Sequence, residues 1–199
     1  MAAARVTDLA RAQALLDFWF GPPGFPYHDE PRGIWFKPDD GFDAELRRLF
    51  LADQERAAAG GYDDWMGARE SCLALILLLD QLPRNLYRDT PAAFAGDDKA
   101  RTVARHALKR GFDKGLANVR RWFLYLPFEH SESLTDQETS VALFAALPKS
   151  AADDGTLDYA KRHHDIIRRF GRFPHRNAIL GRVSTPEEIA FLNEPGSAF

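Results

Sequence analysis

An unbroken apolar run, Cys72–Leu79, constrains the fold of this chain more than any other feature of its sequence. Around it, apolar residues cover every side of a helix over 69–82, which is typical of a helix that its neighbours enclose. The run is far shorter than the roughly 20 residues that cross a bilayer. We therefore expect a central helix inside a protein core, and no membrane segment.

The rest of the chain repeats apolar residues at helical spacing and has no alternating run that would indicate a strand. Capping residues, glycine and proline divide it into segments. Thr135 and Glu138 are able to form a capping box, and Thr185-Pro186-Glu187-Glu188 is the strongest helix-start signature in the chain. The predicted helices span 7–20, 42–59, 69–82, 90–111, 114–126, 135–147, 156–170 and 185–195. We expect an all-α fold of about eight helices paired as antiparallel hairpins. No linker divides the 199 residues, so residues 1–199 are expected to form one domain.

Composition argues against several partners and locations. The net charge of −3 creates no field that would hold a polyanion, so we do not expect nucleic-acid binding. Cys72 is the single cysteine, and the N-terminal residues contain no hydrophobic signal core. Both features favour the reducing cytoplasm.

The basic residues are 20 arginines and only 6 lysines. A GC-rich genome explains such a ratio as well as function does, but position adds information. Six arginines and a single acid, Asp165, lie within 162–182. Because arginine presents a fork of donors that matches carboxylate and phosphate groups, this cluster predicts a site for a small anion.

Three segments share a pattern in which an apolar residue and a proline are followed by polar residues: 82–85, 126–130 and 173–177. Proline disfavours the α conformation in the residue before it, so we expect a helix to end at Pro83 and another at Pro127. The polar residues after these prolines would then gather on one rim of the helical body, where functional sites are often built.

Four residues are predicted to carry acid–base chemistry. Asp80 directly follows the buried run, with Arg84 one turn later as its partner. His130 would act as base or acid, with Glu132 or Asp80 orienting it, and His164 is placed on the buried side of its helix. The predicted ligand-binding residues are Arg84, Arg172, His175, Arg176 and Asn177. Structural ion pairs, helix caps and core histidines explain the same residue types equally well.

Other chemistries lack their sequence patterns. Histidine and acidic residues are present, but no metal-ligand spacing is, so neither a metal nor another cofactor is predicted. A phosphate-binding loop, a dinucleotide fingerprint and a Gly-x-Ser-x-Gly motif are missing as well.

Several polar segments together resemble one known family. These segments are Asp80-Gln81-Leu82-Pro83-Arg84-Asn85, Phe123-Leu124-Tyr125-Leu126-Pro127-Phe128 with His130-Ser131-Glu132, and Phe170-Gly171-Arg172-Phe173-Pro174-His175-Arg176-Asn177. They are similar to the family called domain of unknown function (DUF) 924, in which Phe is usual at position 82 and Met at position 129. The resemblance implies an all-helical, tetratricopeptide-like fold and supplies no activity.

Two functions remain open from the sequence. The first is a polar pocket that binds a small anion and carries out acid–base or hydrolytic chemistry. The second is a helical-repeat scaffold that binds a peptide or partner protein without catalysis.

Overall fold

The computed structural model describes residues 2–148 and 155–197, with side chains from residue 8 onward. Its helices are α1 (Ala2–Phe20), α2 (Asp40–Ala58), α3 (Arg69–Ile76), a π-helical turn (Leu77–Gln81), α4 (Leu82–Leu86), α5 (Asp97–Lys109), α6 (Asn118–Glu129), α7 (Leu134–Ala145), α8 (Thr156–Phe170) and α9 (Pro186–Leu192). Short 3₁₀ turns span Gly33–Trp35, Asp63–Gly67, Pro91–Phe94 and Pro174–Arg176. No strand occurs in these ranges, which confirms the all-α class.

The apolar run forms the centre of the core, as predicted. Every residue from 71 to 83 is buried. Helices α1, α5 and α6 pack against α3, while α2 packs against the π-helical turn and α4. A second, smaller hydrophobic cluster lies at the C-terminal end and consists of Ile166, Ile167, Phe173 and Phe191.

The predicted helix ends at Pro83 and Pro127 are both wrong. Helical backbone continues through Pro83 to Leu86, and α6 ends at Glu129, two residues beyond Pro127. In the π-helical turn the N–H of Leu82 already bonds five residues back, to the carbonyl of Leu77. Pro83 therefore follows a turn in which the regular hydrogen-bond pattern is already shifted. It lies in the first turn of α4, where a proline is tolerated because the missing N–H is not needed.

Capping residues predicted the C-terminal helices best. Helix α8 spans the predicted 156–170 and is followed by Gly171 in the left-handed conformation, at φ 69°. Thr185 and Glu188 form the predicted capping box at the start of α9. A second capping box, predicted from Thr135 and Glu138, does not form, because α7 already begins at Leu134.

The predicted helix 90–111 is divided by Gly96, which immediately precedes α5. A Cβ atom added to Gly96 would overlap the carbonyl oxygen of Leu79, so only glycine permits this approach of the two backbones. The contact holds the start of α5 against the π-helical turn. Asp97 is thereby placed beside the polar residues that follow the apolar run.

Candidate functional site

The π-helical turn presents Asp80, which is fully buried, to residues from two other segments. Asp80 Oδ1 lies 2.7 Å from His130 Nδ1, and Gln81 Nε2 donates to Asp80 Oδ2 at 2.6 Å. Arg84 Nη1 donates to the Asp80 carbonyl at 2.6 Å and lies 3.4 Å from Oδ1. Burial opposes ionisation, but His130 and Arg84 outweigh it and hold the pKa of Asp80 below its ordinary value.

His130 caps the C-terminus of α6, and its side chain is 14% exposed. Burial, followed by the charge of Arg84, lowers the pKa of the imidazole, so the ring is neutral at pH 7. The carboxylate of Asp80 accepts a hydrogen bond, which assigns the ring proton to Nδ1. Nε2 then carries the lone pair, and it has no hydrogen-bond partner among residues 8–148 and 155–197.

A second layer of charge lies beside this pair. Arg84 donates from both terminal nitrogens to Asp97, at 2.9 and 3.1 Å. Arg176 Nη1 lies 3.5 Å from Asp97 Oδ2 and donates to the His130 carbonyl at 3.1 Å. We call Asp80, Arg84, Asp97, His130 and Arg176 the inner cluster. It contains two carboxylates, two guanidinium groups and one neutral imidazole.

Arg176 is held in an unusual environment for a cation. Its guanidinium lies between the rings of Phe94 and Phe173, 4.7 and 4.5 Å from their centroids, and the residue is 6% exposed. Burial, followed by the neighbouring Arg84, lowers the pKa of Arg176 to about 10. Its Nε is buried without a hydrogen-bond partner in the described part of the chain. Nη1 donates to His130 and Asp97, whereas Nη2 has no acceptor in the described part of the chain, so this terminal nitrogen retains donor capacity that the protein does not use.

A pocket of about 320 Å³ opens onto the inner cluster. Its polar lining consists of Asp97, Asp98, Arg101, His130, Glu132 and Arg176, and its apolar lining of Pro91, Phe94, Ala95 and Leu180. Three of the predicted site residues thus line one concavity, namely His130, Glu132 and Arg176. Asp80 and Arg84 lie directly behind them and contact His130 and Asp97.

Glu132 lines the pocket but is already engaged. Arg182 donates to both of its carboxylate oxygens, at 2.7 and 2.9 Å, and the N–H of Phe173 donates to Oε1 at 2.8 Å. Burial opposes these contacts, yet the pKa of Glu132 is lowered because the hydrogen bonds to Arg182 and Phe173 prevail. Asp80 and Glu132 were both considered as the acid that orients His130. Asp80 is the one that accepts a hydrogen bond from the imidazole.

Of the arginines over 162–182 that were predicted to clamp an anion, only Arg176 lines the pocket. Arg172 donates to both oxygens of Glu188, at 2.6 and 2.8 Å, and Arg169 to Glu187 at 3.0 Å. With Arg182–Glu132, we call these the outer ion pairs. Asn177 also donates to Glu188, at 3.3 Å. Arg172 and Asn177, both predicted to bind ligand, therefore tie the segment after α8 to the start of α9.

His164 is not on the inner side of α8. Its side chain is 24% exposed and lies 3.5 Å from Asp165, whereas its neighbour His163 is 6% exposed. Successive helical residues are rotated by about 100°, so only one of two adjacent histidines faces the core. The apolar spacing predicted His164, but the buried histidine is His163. His175 is partly buried near Phe173, and burial, followed by the charge of Arg176, lowers its pKa to about 4.

Sequence reasoning missed a buried acid–histidine pair behind His130. Glu129 Oε1 lies 3.3 Å from His163 Nδ1, and the ring of His163 is 6.5 Å from that of His130. Burial, followed by the charge of Asp80, raises the pKa of Glu129 to about 8. Burial also lowers the pKa of His163 to about 3. The available signal was Glu129 itself, an acid at the end of the apolar run 123–128.

The described residues contain neither a metal-binding group nor a membrane-spanning helix. Residues 8–148 and 155–197 contain no group of three histidine, cysteine, aspartate or glutamate side chains arranged to hold a metal ion. Within the described part of the chain, no helix has both the length and the apolar character needed to cross a membrane.

The fold and pocket thus define an all-helical protein with a buried aspartate–histidine pair beside an arginine. Residues 15–196 match the family described as "Bacterial protein of unknown function (DUF924)". The chain belongs to this family, as its polar segments predicted.

Two further comparisons place this assignment in context. A solved structure of a protein of unknown function from Agrobacterium tumefaciens is similar over 93% of this chain and 98% of its own length, with 39% sequence identity and a TM-score of 0.83. No curated protein matches the sequence.

Proposed function

We propose that this protein is an enzyme that carries out acid–base chemistry, such as hydrolysis, on a small anionic molecule in the pocket. The observation that carries the proposal is the 2.7 Å contact between Asp80 Oδ1 and His130 Nδ1, with the imidazole lining a pocket that Arg176 also lines. A neutral histidine fixed by a carboxylate at one nitrogen accepts protons at the other.

Each member of the inner cluster has a distinct part in this chemistry. Arg176 binds the anionic group of the substrate through its unused donors. His130 Nε2 takes a proton from an attacking water, whose oxygen bonds to the electrophilic carbon or phosphorus. The same proton then passes from Nε2 to the leaving group as its bond breaks. Asp80 keeps the ring oriented and stabilises the imidazolium while it exists.

The polar pocket is supported by burial as well as by geometry. A fully buried aspartate and an arginine with an unpartnered Nε are unfavourable for folding alone. A π-helical turn is also costly and occurs frequently at functional sites. These features occur together beside one concavity, which favours a role in binding or catalysis over a purely structural one.

The first test is binding of small anions, followed by differential scanning fluorimetry. Acetate, hexanoate and methyl phosphate, each offered to the wild type at up to 100 times its dissociation constant, should stabilise the fold by about 2.7 kcal/mol. Arg176→Lys keeps a positive charge but loses the planar fork, so it should lose most of this stabilisation. Arg168→Lys, on an exposed ion pair outside the pocket, is the matched control. No stabilisation of the wild type by any anion contradicts the proposal.

The second test is turnover of small esters and amides that keep a free carboxylate elsewhere in the molecule, and of small phosphate monoesters. Loss of a general base lowers kcat by typically 10²–10⁴-fold, and we expect this from His130→Gln with little change in KM. Asp80→Asn should lower kcat less and displace the pH profile. Turnover that survives His130→Gln unchanged would exclude His130 as the catalytic residue.

A second candidate function is a tetratricopeptide-like scaffold that binds a peptide or partner protein. The outer ion pairs favour it, because they show the C-terminal arginines cross-linking α8 and α9 rather than facing a ligand. Helix α7 packs against both α6 and α8, its neighbours in sequence, as successive helical hairpins require. If anions bind and Arg176→Lys weakens this binding, the enzyme is favoured over the scaffold.

The proposal includes two further expectations from the sequence. It treats residues 1–199 as one domain, supported by a core cluster whose members run from Ala12 to Ala160. It also keeps the cytoplasm as the location, supported by Cys72, a buried free thiol.

A further inference from the structure

The pocket has an apolar side that the proposed chemistry does not use. Phe94 and Leu180 line it together with Pro91 and Ala95, and the Phe94 ring lies 4.7 Å from the guanidinium of Arg176. Leu180 is 36% exposed although it is a large hydrophobic residue. Apolar and polar side chains lining one pocket are the combination that binds a molecule with one charged and one apolar end.

The charges of the inner cluster and its rim favour an anion with one negative charge over a dianion. Asp80 and Asp97 balance Arg84 and Arg176, and His130 is neutral. The rim adds Asp98 and Glu132, whose partners are Arg101 and Arg182. Because no cation is in excess, every negative charge on the ligand meets the three carboxylates of the lining, and a dianion is repelled more than a monoanion.

The volume of the pocket, about 320 Å³, lies at the small end of the range for ligand sites, roughly 300–1,000 Å³. Arg176 keeps an available donor, because Nη1 donates to His130 O and Asp97 Oδ2, whereas Nη2 has no acceptor in the described part of the chain. The planar carboxylate is the monoanion that a guanidinium edge binds best.

We infer that the pocket binds a monocarboxylate with a short apolar substituent. The carboxylate contacts Arg176 beside His130, and the substituent packs on Phe94 and Leu180. This inference rests on the proposed function and narrows it: the substrate class is small molecules with one free carboxylate and an apolar substituent, and phosphate monoesters are disfavoured.

Isothermal titration of the whole chain with acetate, butyrate, hexanoate and octanoate tests the apolar contact. Affinity should rise about fourfold for each added methylene, since burial of one contributes about 0.8 kcal/mol, until the pocket is filled. Butyl phosphate should bind more weakly than pentanoate, and hexanamide should not bind.

Leu180→Ser is the diagnostic variant and Val183→Ser its control. Val183 is 87% exposed and does not line the pocket. Leu180→Ser should flatten the dependence on chain length without weakening acetate, whereas Val183→Ser should leave the whole series unchanged. Circular dichroism of both variants verifies that each is folded.

The outcomes separate this inference from the proposed function. Equal affinity for all four carboxylates, or an unchanged dependence on chain length in Leu180→Ser, overturns the apolar contact and leaves the anion site standing. Tighter binding of butyl phosphate than of pentanoate overturns the monocarboxylate preference alone. No binding of any anion to the wild type overturns both.

Discussion

The inner cluster and the outer ion pairs use the same residue types in opposite ways. In the outer pairs, each arginine meets its own acid, as Arg172 meets Glu188 and Arg182 meets Glu132. In the inner cluster, Arg84 and Arg176 share Asp97, and Asp80 is shared between Arg84 and His130. One-to-one ion pairs join structural elements. Arginines that share an acid keep hydrogen-bond donors that a ligand can use.

Removing Asp80 should produce the largest loss of stability. Asp80→Ala leaves Arg84 and His130 without their buried partner, which typically costs about 3–5 kcal/mol. Urea denaturation of the wild type and the variant measures this difference. A loss below about 1 kcal/mol, the value typical of exposed ion pairs, would contradict this prediction.

Glu129 should make the stability of the inner region depend on pH. Its pKa is about 8 in the folded chain, against an ordinary value of 4.5, so the folded state binds more protons between these values. Stability therefore falls as pH rises through this range, by about 1.4 kcal/mol per unit. His163 and His175 have lowered pKa values and oppose this trend below pH 6.5, which leaves Glu129 dominant from pH 6.5 to 8.

Urea denaturation at several pH values between 6.5 and 8 detects this effect. Glu129→Met removes the carboxyl and should abolish the slope. Glu132→Gln, which removes an acid whose pKa is lowered, should retain it. If Glu129→Met and the wild type show the same slope, the carboxyl is not protonated in the folded chain at neutral pH.

The close backbone contact between Gly96 and Leu79 positions Asp97 of the inner cluster and none of the outer pairs. Disrupting this contact should therefore lower the stability of the inner region. Gly96→Ala forces the two backbones apart and is expected to cost about 1–3 kcal/mol, as overpacking does. Gly33→Ala is the control, since a Cβ there meets nothing within 4 Å. Thermal denaturation compares them, and equal stability of the two variants would show that α5 can shift without strain.

The smallest effect is expected from the outer pair Arg169–Glu187, whose side chains are 43% and 63% exposed. A double-mutant cycle with Arg169→Ala and Glu187→Ala should give a coupling below about 1 kcal/mol, because exposed pairs are screened by solvent. A coupling of the size expected at Asp80 would remove the energetic distinction between the two regions.

The sequence predicted those parts of the fold that depend on local chemistry. The run 72–79 was correctly placed in the core, and Gly171 and Thr185 correctly marked helix boundaries. Pro83 misled because the π-helical turn before it is not visible in apolar spacing. In α8, a single step along the helix separated the exposed His164 from the buried His163.

The site was less predictable, because its partners are distant in sequence. Glu132 lies fifty positions before Arg182, to which it binds, so a local count of charges over 162–182 found an excess that the fold neutralises. Asp97 resembled an ordinary acid in the first turn of a helix. Its role as the shared partner of Arg84 and Arg176 requires the close packing at Gly96.

The number of residues in the π-helical turn at 77–81 sets the direction of the Asp80 side chain. The inner cluster therefore depends on this number as much as on the residue types. A π turn contains one more residue than an α turn spans, so it resembles a one-residue insertion in a regular helix. Exchange of one leucine in this turn for another apolar residue would alter packing. Deletion of that leucine would instead restore a regular helix and rotate Asp80 by about 100° relative to α3, away from His130. Relatives that have lost this residue should therefore have lost the aspartate–histidine pair as well.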